Sequence, residues 1–186
     1  MDAPTPILAA LYRHDPAEAE RLATGAELTL HEAAALGRTG RLAELAAAGA
    51  DLAQPALDGF TALHLACYFG HPEAAAWLLD RDVPLEAEAT PARLRPLHAA
   101  VATPDEATAL VLARLLLPLH LEVDAVQAGG FTALHAAAER GSRPLAELLL
   151  FRGADVALRT VDGRTAAEVA EAKGHRELAA WLRTRA

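Results

Sequence analysis

Asp58-Gly59-Phe60-Thr61-Ala62-Leu63-His64-Leu65-Ala66 returns later in the chain as Gly129-Gly130-Phe131-Thr132-Ala133-Leu134-His135-Ala136-Ala137. Fainter copies are Leu30-His31-Glu32-Ala33-Ala34, Pro96-Leu97-His98-Ala99-Ala100 and Asp162-Gly163-Arg164-Thr165-Ala166-Ala167-Glu168. Units also close alike, in Gly49-Ala50-Asp51-Leu52 and Gly153-Ala154-Asp155-Val156. Four glycines mark the spacing: Gly37 and Gly70 are 33 residues apart, as are Gly141 and Gly174. The wider gap between Gly70 and Gly141 holds one longer unit without its glycine. A period of this size means a supersecondary unit that buries its apolar face only by stacking on copies of itself.

The residues around these words predict two helices per unit. Thr61 and Thr132 stand where a helix N-cap is wanted, ahead of Ala/Leu-rich runs. Gly70 and Gly141 end that first helix, where a left-handed C-cap suits glycine. Pro72 and Pro144 then fall in the first turn of a second helix, which tolerates proline. The second helix carries its apolar stripe as Trp77-Leu78-Leu79 and Leu148-Leu149-Leu150. Trp77 and Trp181 hold equivalent places and read as packing residues between layers.

Period and words together resemble the ankyrin repeat family. The resemblance covers about residues 26–186 and implies an all-α solenoid, with β-turn fingers and antiparallel helix pairs stacked in a curved array. The expected units are 26–56, 57–88, 89–126, 127–159 and 160–186, one continuous domain, with residues 1–25 as an N-terminal helical cap. In that cap Ile7–Arg13 reads as one helix, and Asp15-Pro16-Ala17-Glu18 opens another with a capping-box pattern. The third unit carries one extra residue in its finger and four more, which the spacing places between its helices. Thr103-Pro104-Asp105-Glu106 is itself a capping-box pattern, so its second helix is expected to start one turn early, near Pro104, and to run to about Leu117.

Composition removes several function classes. The 17 Lys plus Arg against 25 Asp plus Glu leave a net charge of -8. With no basic run, nucleic acid is not an expected partner. The longest apolar stretch, Ala107 to Leu121, is interrupted by Arg114 and Pro118 and falls short of the ~20 residues of a membrane span, so no membrane is expected. The first residues carry no basic region, and Cys67 is the only cysteine; a cytoplasmic, monomeric protein is expected. Alanine and leucine supply roughly two fifths of the chain while aromatics are 4%. Thin layers that pack only on neighbours need small residues rather than aromatic volume.

His31, His64, His98 and His135 invite a metal reading. Each belongs to a different unit, however, and stacked helices lie ~8–10 Å apart, so the four rings cannot converge on one ion. The resemblance implies that they bond the backbone of neighbouring fingers; with Gly37, Gly70, Gly141 and Gly174 they are taken as structural. Cys67 lies at a small-residue position with nothing nearby to activate its thiol. No nucleophile triad, phosphate loop or dinucleotide pattern is present. No enzyme activity, metal or cofactor is expected.

What remains is surface. The resemblance implies that a protein partner is held by the finger tips and the exposed side of the first helices. The matching positions are Leu57, Phe60, Tyr68, Phe69, Leu94, Phe131, Glu139, Arg140, Arg164 and Lys173. Exposed Tyr and Phe are typical of binding hot spots, although Phe60 and Phe131 could equally pack neighbouring fingers together. Charge shifts along this face, which suits an elongated partner with an apolar end and an acidic end. The chain thus reads as a protein-interaction module. A dedicated accessory protein that stabilises or inhibits one enzyme is the alternative, and an enzyme or metal protein built on the histidine row is the contending class.

Overall fold

The computed structural model describes residues 4–56, 58–89 and 92–185. Twelve α-helices are found among them. α1 (Pro6–Tyr12) and α2 (Pro16–Ala23) form the N-terminal pair. First helices α3 (Leu30–Ala35), α5 (Ala62–Tyr68), α7 (Pro96–Ala102), α9 (Ala133–Glu139) and α11 (Ala166–Ala172) alternate with second helices α4 (Thr39–Ala47), α6 (Pro72–Leu79), α8 (Glu106–Leu116), α10 (Arg143–Phe151) and α12 (Arg176–Arg183). First helices pack on first helices in chain order, and α4, α6, α8 and α10 do the same. None of these helices is long and apolar enough to cross a membrane.

The N-caps explain where the first helices begin. Thr61, Thr132 and Thr165 each accept the backbone N–H three residues on. Gly70, Gly141 and Gly174 follow the last turns with φ of +78°, +76° and +87°. Between layers the first helices present alanines: Ala33, Ala66, Ala100, Ala137 and Ala138 are fully buried. Small side chains let the helices approach closely, and leucines of the second helices fill the space behind. Leu42, Leu78, Leu112, Leu116, Leu149 and Leu182 are fully buried; each contributes ~1.5–3 kcal/mol by leaving water. Trp77 and Trp181 pack against this core at its edge, beneath the guanidinium groups of Arg81 (3.6 Å) and Arg185 (4.0 Å).

The fingers are tight turns. Ala56 N–H donates to Phe60 O (2.8 Å), Gln127 N–H to Phe131 O (2.9 Å) and Thr160 N–H to Arg164 O (2.9 Å), while Ala89 and Leu94 exchange both bonds. Neighbouring fingers are also joined directly, Ala128 N–H to Ala92 O (2.7 Å) and Val161 N–H to Gly129 O (2.8 Å).

The third unit departs from expectation. Its second helix starts at Glu106, ten residues after the start of α7, the same offset as between α5 and α6 and between α9 and α10. The cap is Asp105, whose carboxylate accepts Thr108 N–H (2.8 Å); Thr103 instead ends α7 and donates its hydroxyl to Cys67 O (2.6 Å). The additional turn lies at the other end. α8 runs to Leu116, and a 3-10 turn, Leu117–Leu119, carries the chain to His120 at φ +59°. In the N-terminal pair, Pro6 rather than Ile7 opens α1. Asp15 caps α2 by accepting Glu18 N–H (3.0 Å), but the Glu18 carboxylate binds Arg21, so only half of the box forms.

Candidate functional site: the first-helix face

Two ladders of backbone-directed side chains hold this face rigid. His64, His98 and His135 occupy the third position of their helices. Their Nδ1 atoms accept the N–H of Thr61 (3.2 Å), Arg95 (3.1 Å) and Thr132 (3.2 Å). Their Nε2 atoms donate to the carbonyls of Leu94 (2.9 Å) and Arg164 (3.1 Å) in the next finger and of Ala125 (2.9 Å), two residues ahead of it. An amide N–H only donates and a carbonyl only accepts, so each ring is the neutral Nε2–H tautomer. Burial pushes all three below the ordinary imidazole range. With both nitrogens engaged these rings have no lone pair to offer a metal. His31 differs: it stands one position earlier on α3 and meets Gln54 O (3.0 Å), while Glu32 accepts Thr29 N–H (2.9 Å). The last unit uses Glu168 likewise, on Thr165 N–H (2.7 Å).

The second ladder was not legible in the sequence. Carbonyls near the ends of the first helices are taken by side chains of the next unit. His71 Nε2 donates to Ala35 O (2.9 Å), the Thr103 hydroxyl to Cys67 O, and His175 Nε2 to Glu139 O (3.1 Å). The Arg140 guanidinium serves three carbonyls: Val101 (2.6 Å), Thr103 (2.8 Å) and Pro104 (3.0 Å). A cation at a helix C-terminus is favourably placed. Gly37 and Gly141 are required twice over, because a Cβ there would lie 2.6 Å and 2.5 Å from the rings of His71 and His175 at positive φ. Buried Cys67 has its thiol pushed up to about 12 by burial, which leaves it protonated and inert.

The candidate surface residues therefore separate. Arg140, half-buried, clamps the end of α7 through its three carbonyl bonds. Glu139 and Lys173 pair with each other (2.7 Å), and Arg164 pairs with Asp162 (2.6 Å), both at half-exposed positions. Phe60 packs edge-on against His64 (5.5 Å between centroids) and Phe131 leans on His135 (5.7 Å), shielding the first ladder. Leu94 is half-buried in its finger hairpin. Leu57 lies outside the described residues.

Tyr68 and Phe69 are brought together at 5.1 Å, and Tyr12 of α1 joins them at 5.6 Å from Phe69. All three rings are half-buried. The Tyr12 hydroxyl donates to Asp58 (3.4 Å), and burial with the nearby carboxylate raises its pKa, keeping the proton in place. Beside them opens a groove of about 430 Å³, formed by Leu8 and Tyr12 of α1, His31 of α3, and Pro55, Ala56 and Asp58 of the adjoining finger. Sequence reading missed Tyr12; its signal was the Leu8–Tyr12 spacing of four on a short helix. It also missed Phe151, 82% exposed at the end of α10, and Val161, 84% exposed on a finger.

The description "Ankyrin repeats (3 copies)" matches residues 30–125 and 97–185. The chain is 35% identical over 116 residues to the B-cell lymphoma 3 protein homolog of Mus musculus, covering 62% of this chain and 25% of that protein. It is 46% identical over 54 residues to the Espin-like protein of Homo sapiens, covering 29% of this chain and 5% of that one. The chain thus spans a quarter or less of either relative. Repeated fingers, paired helices and both matched stretches agree: the chain belongs to the ankyrin repeat family.

Proposed function

We propose that this protein is a non-enzymatic interaction module whose partner, another protein, docks on the first-helix face at its N-terminal end. Ankyrin repeats generally mediate protein–protein interaction. The observation that carries the placement is the Tyr12–Tyr68–Phe69 cluster beside an apolar groove. Elsewhere on the face, the candidate aromatics and charges are engaged within the chain. Tyrosine offers large contact area at low conformational-entropy cost, which suits a hot spot.

The test is affinity capture from cells of the source organism with wild-type bait and with Tyr68→Ala, followed by titration of the purified partner. Wild-type capture with at least tenfold weaker binding by Tyr68→Ala, which still melts cooperatively and remains folded at the binding temperature, is the expected result. Equal affinity for the two baits would overturn the placement.

A further inference from the structure

The groove against α1 has a chemistry of its own. Leu8, the ring of Tyr12, Pro55 and Ala56 give it apolar wall, with Thr5, Thr29, His31 and Gln54 as polar lining. Among the described lining residues Asp58 is the single carboxylate, and none is a lysine or arginine. Asp58 is exposed, and its two oxygens accept Phe60 N–H (3.1 Å) and the Tyr12 hydroxyl (3.4 Å). Both bonds fix the carboxylate at the edge of the groove and leave lone pairs open to solvent. The Tyr12 ring is held from behind by Phe69, so the wall is stiff before any ligand arrives, which lowers the ordering cost of binding.

Resting on the proposed docking face, we infer that this groove takes a partner's extended segment in which an apolar side chain is followed closely by an arginine or lysine. The apolar side chain fills the space between Leu8, Tyr12 and Pro55, and the cation pairs with Asp58. The net charge of -8 favours encounter with such a basic segment.

The probe is a capped five-residue peptide, glycine with one leucine and one arginine two positions apart, titrated into the isotope-labelled full chain and followed by amide chemical shifts at low salt. Shifts are expected at Leu8, Tyr12, Ala56 and Asp58. Replacing the peptide's leucine by alanine should weaken binding at least ~tenfold, and its arginine by glutamate should remove binding. Asp58→Asn keeps the Oδ1 acceptor for Phe60 N–H and puts an amide N–H, which can donate to the hydroxyl oxygen, opposite Tyr12; it should weaken the arginine peptide by about three- to fivefold and erase the arginine-to-glutamate difference. No shift at millimolar peptide, shifts centred on other residues, or equal binding of the arginine and glutamate peptides would overturn the inference. If Tyr68-dependent partner capture persists in that case, the docking face stands and only the groove assignment falls.

Discussion

At the residue scale the histidines link folding to pH. His64, His71, His98 and His135 are all held below their free value, first of all by burial. The unfolded chain takes up protons near pH 6.5 while the folded chain does not, so acidification favours unfolding. Their stabilising contribution is complete above that pH and is lost as pH falls toward the folded values, by up to about 1.4 kcal/mol per pH unit for each ring. In the ladder rings a second proton would also point Nδ1–H at a backbone N–H. His135→Gln should melt below wild type at pH 7.5, with the gap narrowing by pH 5.5; parallel melting curves would contradict this.

Asp124 behaves oppositely. Its carboxylate accepts Asp155 N–H (3.0 Å), yet burial, followed by the charges of Asp155 and Glu122, raises its pKa. Ionising it costs stability once pH exceeds the folded value. Asp124→Asn retains the acceptor and removes the charge, so the melting temperature at pH 7 should rise by about 1–3 °C, and the gain should fade on acidification into the carboxylate range. At this scale the finger-bonding histidines were readable because each recurs with the period. The carbonyl ladder was not: His71 and His175 each follow a periodic glycine, but Thr103 and Arg140 stand two residues earlier in their units, at the ends of α7 and α9, and share no residue type.

At the element scale, caps decide where the helices lie. The third unit was misread because Thr103-Pro104-Asp105-Glu106 offers two caps, Thr103 and Asp105. Thr103 is drawn into the layer contact with Cys67, and Asp105 takes the helix. Asp105→Ala should therefore cost about 1 kcal/mol, whereas Thr103→Val should destabilise through the buried Cys67 carbonyl without shifting the start of α8; amide exchange in α8 distinguishes the two. Close approach between fingers is the other constraint. A Cβ on Gly130 would stand 2.9 Å from Val161 N at φ +75°. Gly130→Ala should break the Val161–Gly129 bond and lower the melting temperature, whereas Gly163→Ala at φ +84°, with open space around it, bears backbone strain alone and should cost less.

At the scale of the whole molecule, the repeat period made the stacked architecture legible, and the Ala/Leu composition follows from it: thin layers meet through alanines and fill with leucines. The proposed docking surface was only half legible. Tyr68 and Phe69 are candidates from the repeat words, but Tyr12 lies outside the repeats, and the bonds of Arg140, Glu139 and Lys173 cross to other units. Phe69 stands between Tyr12 and Tyr68, so Phe69→Ala, which removes two ring contacts, should lower stability more than Tyr68→Ala, which removes one.

The most direct test of the docking face is hydrogen–deuterium exchange of the chain with and without its captured partner. Added protection is expected, confined to α1, α5 and the finger between them. Protection centred on the second helices α6, α8 and α10, with α1 and α5 unchanged, would contradict it.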